Sequence, residues 1–228
     1  MRYNPQDKML SLIADDYRLI QVLSRFGIPM GFGDNSVEEV CRLNHVDHKT
    51  FLAVVNFMVN DDEESDVDTT QLKVESLLHY LKQSHVYFLE FCLPSIRRKL
   101  LDAIHLNDSD VSFLIIKLFD EYVSEVRAHM EDEETQLFKH INSLLEGEYD
   151  ENHKLETYSS HHENVGSKLK ELKNIIIRYC PQTSKTNLLN AALYDIYRCE
   201  EELRSHSDVE DNLLMPALTS LERKFISK

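Results

Sequence analysis

The chain has 228 residues, 42% of them apolar, with five Gly, five Pro and no Trp. That length holds one good-sized domain and a small one, and so few turn residues favour long helices over a turn-rich sheet protein. A formal net charge of −15, with no basic tract to offset it, argues against a nucleic-acid partner, because phosphate contacts need clustered Lys and Arg.

The four cysteines, Cys41, Cys92, Cys180 and Cys199, are scattered with no C-x-x-C pair. They are expected to be reduced thiols in a cytoplasmic protein rather than a disulfide framework. The first residues carry an early acid, Asp7, and no apolar h-region, so no signal peptide is expected. Nothing approaches the run of about 18 apolar residues that a membrane span needs, so no membrane association is expected either.

In chain order, residues 1–62 read as a small helical N-terminal domain. Met9, Leu12, Ile13, Leu19, Ile20, Val22 and Leu23 have helical apolar spacing, and Gly27 supplies a C-terminal stop. Residues 31–35 form a turn, and Ser36 is a good N-cap for a helix entering at Val37. Asp47 can cap a further helix carrying Phe51, Leu52, Val54, Val55 and Met58. Residues 60–66 are acidic, lack a core-forming pattern and read as a linker. The apolar faces of this small domain are compatible with a homodimer.

Residues 70–228 carry four long helical patterns. The first runs to about residue 104, and Pro94 is expected to kink or break it. The second starts after the capping residues Asp108, Ser109 and Asp110 and ends near Gly147. The third begins near Asp150 and stops at Pro181. The fourth starts after Ser184 and is expected to bend at Pro216. Short connections between long helices force antiparallel neighbours, so the fold expected is all-α: an up-down-up-down four-helix bundle preceded by the small helical domain.

Two pieces of this second region match. His129 precedes Glu133 by four residues, His206 precedes Glu210 by four, and the two pairs lie 77 residues apart. On a helix each pair shares one face. His85 stands 44 residues before His129, and His162 stands 44 before His206. A helix rises about 1.5 Å per residue, so this step leads one helix over at a similar height. Four imidazoles and two carboxylates then point inward in one layer. Such groups are costly to bury without a partner. Imidazole suits iron, copper, nickel and zinc, and a carboxylate can bridge two hard cations. The pattern reads as a metal site, two His per metal with both Glu bridging, and a pair of irons as the expected occupant.

These residues resemble the hemerythrin-like, or HHE cation-binding, domain, over about residues 70–228. His85, His129, Glu133, His162, His206 and Glu210 fall where that family keeps its iron ligands. More closely, the chain resembles the ScdA-like di-iron proteins of the repair-of-iron-centres family. The ending Glu210-Asp211-Asn212-Leu213-Leu214-Met215-Pro216 is similar to their Glu-Asn-Asn-x-Leu-Phe-Pro. His162-Glu163-Asn164-Val165-Gly166 is similar to their His-Asp-Glu-x-Gly, which favours His162 over His161. No position stands out for the fifth His of the oxygen carriers. Phe26-Gly27-Ile28 and Val37-Glu38-Glu39-Val40-Cys41 are similar to the N-terminal domain of the same proteins, over about residues 8–58. Where that domain has Cys-Cys-Gly-Gly, this chain has Gly31-Phe32-Gly33-Asp34.

The resemblance implies two non-haem irons per chain and small ligands such as oxygen or nitric oxide. It also implies a role in stress response and iron–sulfur cluster repair, with iron–sulfur proteins as partners. A sensor or store for oxygen, nitric oxide or iron is the alternative, and the missing cysteines favour it. Glu125 and Glu202, each one turn before a ligand His, read either as partners that orient imidazoles or as solvated acids. Tyr122 and Cys199, also 77 residues apart, read as core residues with a possible redox role. His45, His48, His79, His105, His140, His153 and His161 read as surface or satisfied polar residues.

Overall fold

The structure is a computed structural model that describes residues 3–59, 68–104, 109–148, 165–182 and 184–226. The acidic linker at 60–66 and the expected start of the third long helix near Asp150 lie outside the described residues. The chain is all-α: a helical bundle with additional helices at its N-terminal end. Among the described residues the only extended pairing is an isolated bridge between Lys8 and Ser36. The chain divides into two compact units, one of residues 1–84, 140–151 and 205–228, the other of residues 85–139 and 152–204.

In the first unit, four short helices carry the N-terminal part: α1 (Met9–Asp15), α2 (Leu19–Arg25), α3 (Val37–Leu43) and α4 (His48–Val59). Gly27 follows α2 at φ +71°, a backbone conformation that glycine adopts without steric cost. Ser36 caps α3 as its position predicts. Its hydroxyl accepts the Glu39 N–H at 3.2 Å, and the Glu39 carboxylate accepts the Ser36 N–H at 2.8 Å. This reciprocal arrangement satisfies two amides at once. Ser36→Ala is expected to lower the urea unfolding free energy by about 1 kcal/mol; an unchanged midpoint would remove the cap from the stability account. Asp47 caps α4 through the Thr50 N–H at 3.0 Å. Phe26 joins the elements, with its ring 5.4 Å from Phe51 and 5.0 Å from Tyr80. The buried Arg25 lies over the Tyr80 ring, 5.7 Å from its centroid.

The long patterns appear as α5 (Val74–Val86), α6 (Leu93–Ala103), α7 (Asp110–Thr135), α8 (Leu137–Leu145), α9 (Val165–Tyr179), α10 (Thr186–Val209) and α11 (Met215–Ile226). Ser109 caps α7 by accepting the Ser112 N–H at 3.2 Å. In the second unit α7 packs on α6 and α9 around a core that includes Phe88, Phe119, Tyr122, Leu172, Ile176 and Ile196. The Lys185 N–H bonds the Ala103 carbonyl at 2.9 Å and joins the approach to α10 to the end of α6.

The break expected at Pro94 takes a specific form. A proline has no N–H, and its ring crowds the carbonyl four residues back. Between α5 and α6 the backbone widens into a π-helical segment, Tyr87–Cys92, and the Leu93 N–H bonds the Phe88 carbonyl five residues back. Ahead of Pro216 the same solution recurs: Glu210–Leu214 is π-helical, and the Met215 N–H bonds the Glu210 carbonyl. Each segment sits beside a residue of the doubled His/Glu pattern. His85 is two residues before the first, and Glu210 opens the second. Such segments absorb one extra residue and re-aim the side chains around them.

Candidate metal centre

The site grows from α7. His129 and Glu133 lie one turn apart on it, and the His129 Nε2 is 2.9 Å from the Glu133 Oε1. The other oxygen of the same carboxylate, Oε2, is 3.1 Å from Nε2 of His85, near the end of α5. One buried carboxylate therefore faces two imidazoles, one oxygen to each. His85 is 1% exposed and Glu133 is 6% exposed, while His129 is half-buried.

The second nitrogen of His85 is also engaged. Its Nδ1 is 2.9 Å from Oε1 of Glu134. With Nδ1 turned to Glu134, Nε2 is the nitrogen that faces Glu133. The Phe138 ring stacks on His85 at 5.2 Å between centroids and 17° between planes, which fixes the imidazole orientation. Burial alone would lower the His85 pKa. The hydrogen bonds and negative charges of Glu133 and Glu134 outweigh it, and the pKa is raised above the ordinary histidine value.

His206 and Glu210 are both buried, at 2% and 3% exposure, on α10 and the π segment that follows it. His85 and Glu133 each offer a ligand atom, and these atoms lie 3.1 Å apart. Imidazole nitrogen with carboxylate oxygen is a donor set that fits a first-row transition metal such as iron or zinc. The residues present fit a bound cation. His162 and its neighbour His161 lie outside the described residues, as do His105 and His153.

The remaining sequence candidates divide. Glu125 is exposed and ion-pairs with Lys168, in keeping with a solvated acid. Glu202 is half-buried, 3.4 Å from Arg198. Tyr122 and Cys199 are buried in the core of the second unit. One feature has no counterpart in the sequence reading, and a second decides between alternatives that it left open. Glu134, beside Glu133, turns out to hold His85. His140 is buried, with its Nε2 2.8 Å from Oε1 of Glu222, a satisfied polar pair rather than a surface residue. The signal for Glu134 was its place in the acidic run 131–134 next to a ligand candidate; nothing in the local sequence pointed to Glu222.

Comparison with protein families gives a match over residues 76–218, more than half of the chain, to the model described as Hemerythrin HHE cation binding domain. Comparison with curated proteins gives no match. Among the described residues no helix is long and apolar enough to cross a membrane.

Proposed function

Because the chain belongs to the hemerythrin HHE cation-binding family, we propose that it holds a pair of non-haem irons and handles a small ligand, nitric oxide or oxygen. The ligand set proposed is His85, His129, Glu133, His162, His206 and Glu210. The observation that carries this reading is the Glu133 carboxylate, buried and presenting one oxygen to His129 at 2.9 Å and the other to His85 at 3.1 Å. That disposition suits a bridging carboxylate.

Bound iron would supply one-electron chemistry and open coordination positions for a small ligand. The protein's own contribution is orientation and exclusion of water. Glu134 holds Nδ1 of His85 so that Nε2 faces inward, and Phe138 stacks on that ring. Glu133 brings negative charge into a buried place, which favours a cation there over any neutral guest.

The wider role we propose is a cytoplasmic response to nitric oxide or oxidative stress that includes repair of iron–sulfur clusters. Its support is the similarity of residues 8–58 to the N-terminal domain of cluster-repair proteins. A specific difference favours a second reading, a reversible sensor or store. Gly31 and Gly33 stand, at φ +99° and +58°, in the turn where that domain carries two cysteines, so thiol chemistry at this turn is lost.

The test is elemental analysis of protein purified without oxygen, in the wild type and in two variants. The wild type is expected to carry about two irons per chain. His162→Ala is expected to lose metal and His161→Ala to keep it. Equal loss in both would overturn the ligand set, and a wild type that takes up no metal on reconstitution would overturn the reading itself. Mixing the reduced protein with oxygen separates the two roles, since a sensor or store forms a reversible adduct.

A further inference from the structure

In the second unit the helices α6, α7, α9 and α10 share one apolar core. Neighbouring helices of this set are also tied to each other by ion pairs. Arg97 of α6 meets Asp120 of α7 through two hydrogen bonds, at 2.7 Å from Nε and 2.9 Å from a terminal nitrogen. Lys168 of α9 meets Glu125 of α7. Lys173 of α9 meets Glu200 of α10, and its ammonium lies 4.3 Å from the centroid of the Tyr197 ring. Lys99 of α6 meets Asp195 of α10 and closes the circuit.

The signs alternate round that circuit. In these pairs every cation stands on α6 or α9, and every acid on α7 or α10. Opposite charges meet between neighbours, and like charges are kept to the diagonals. Connectivity alone does not choose this order, because α7 ends at Thr135 and α9 begins only at Val165. A bundle with α9 and α10 exchanged would set Asp120 and Glu125 against Asp195 and Glu200. It would also set Arg97 and Lys99 against Lys168 and Lys173. Repulsion at those edges disfavours the exchanged order.

We propose that these ion pairs form an electrostatic strap that holds the four helices in this order and loosens as ionic strength rises. Exposed ion pairs are weak one by one, and their weight comes from acting as a network. The Arg97 and Asp120 side chains are 44% and 43% exposed, so salt screens that pair readily. Lys173, 8% exposed, is screened less. The net charge of the chain responds to salt with the opposite sign. It is formally −15, and screening that self-repulsion favours the compact state. Salt that opens the second unit therefore acts on its attractive pairs.

Buried thiols report on the two units separately. Cys92 and Cys199 lie in the core of the second unit, and Cys41 is buried on α3 in the first. A reagent reaches such thiols when the helices around them open. The experiment treats the folded full-length protein with a small thiol reagent at about 0.02 M and about 0.5 M sodium chloride. Peptide mass spectrometry reads the labelling rate of each cysteine. Cys92 and Cys199 are expected to label about tenfold faster at high salt, the combined effect of screening several weak pairs. Cys41 is expected to label no faster. Arg97→Asp should speed labelling of Cys92 and Cys199 at low salt, and Arg97→Asp combined with Asp120→Arg should restore the slow rate. Three results would overturn the strap: labelling of Cys92 and Cys199 that salt slows or leaves unchanged, a rise at Cys41 that matches theirs, or a double variant that labels as fast as Arg97→Asp. No reading here uses a bound metal, so failure of the strap is distinguishable from failure of the iron site.

Discussion

Glu133→Ala protein is expected to bind iron(II) at least about 100-fold more weakly than the wild type, a loss at or above the upper end of what removing an outer partner of a metal ligand costs. Glu133 is singled out because its carboxylate faces both His85 and His129, through different oxygens. Alanine removes a donor for the cation and the charge that organises two imidazoles. Glu134→Gln makes a graded comparison. The amide oxygen can still accept the His85 Nδ1–H, so a loss of about tenfold is expected, the lower end of the range for an outer partner. Anaerobic titration against a coloured competing chelator reads both numbers, and circular dichroism checks that the helices persist. Wild-type affinity in a folded Glu133→Ala protein would take Glu133 out of the metal set.

The same substitution has a consequence for the metal-free protein, with a definite sign. The folded-state pKa of His85 is raised, chiefly by Glu133 and Glu134 acting against burial. A raised histidine contributes stability that is fully present below its unfolded pKa of about 6.5 and is lost as pH rises through the higher folded value. The stability gap between metal-free wild type and Glu133→Ala should therefore be widest below pH about 6.5 and narrow above it. Metal binding reverses the preference, because a cation needs the imidazole deprotonated.

Much of this was legible in the sequence. Apolar spacing of three and four residues located the helices, and Ser36, Asp47 and Ser109 cap where their side chains predict. The His-x-x-x-Glu spacing placed His129 and Glu133 on one face because helix geometry leaves no choice. What was not legible depends on backbone detail or on tertiary neighbours. Pro94 and Pro216 announced a disturbance, but not that the ladder would widen by one residue and continue. That choice keeps the core packed on both sides of each proline, and helix propensity carries no information about it. Glu134 is rotated about 100° from Glu133 on an ideal helix, so a face argument sets it aside. It reaches His85 because the imidazole has two nitrogens, and the second points towards the neighbouring residue of α7. His140 and Glu222 are 82 residues apart, and only folding pairs them.

Phe119→Ala is expected to cost about 3–5 kcal/mol of stability, the range for emptying a buried aromatic site. Phe119 is 0% exposed on the inward face of α7, in the cluster shared with Tyr122, whose ring is 6.4 Å away. The packed helices around it cannot collapse into the space without moving side chains on several elements, so the cavity term adds to the lost transfer energy. Phe113, six positions earlier on the same helix, is the matched control at 63% exposure. Phe113→Ala removes the same atoms from a place already wet, and a change within about 0.5 kcal/mol is expected. Urea unfolding followed by circular dichroism measures both. Equal costs at the two positions would mean that α7 buries a different face. Of the two sites, only Phe119 lies on the helix face that also carries Tyr122, Val126 and Met130 inward. Its loss should therefore loosen the helix that carries His129 and Glu133, and weaken iron binding without touching a ligand.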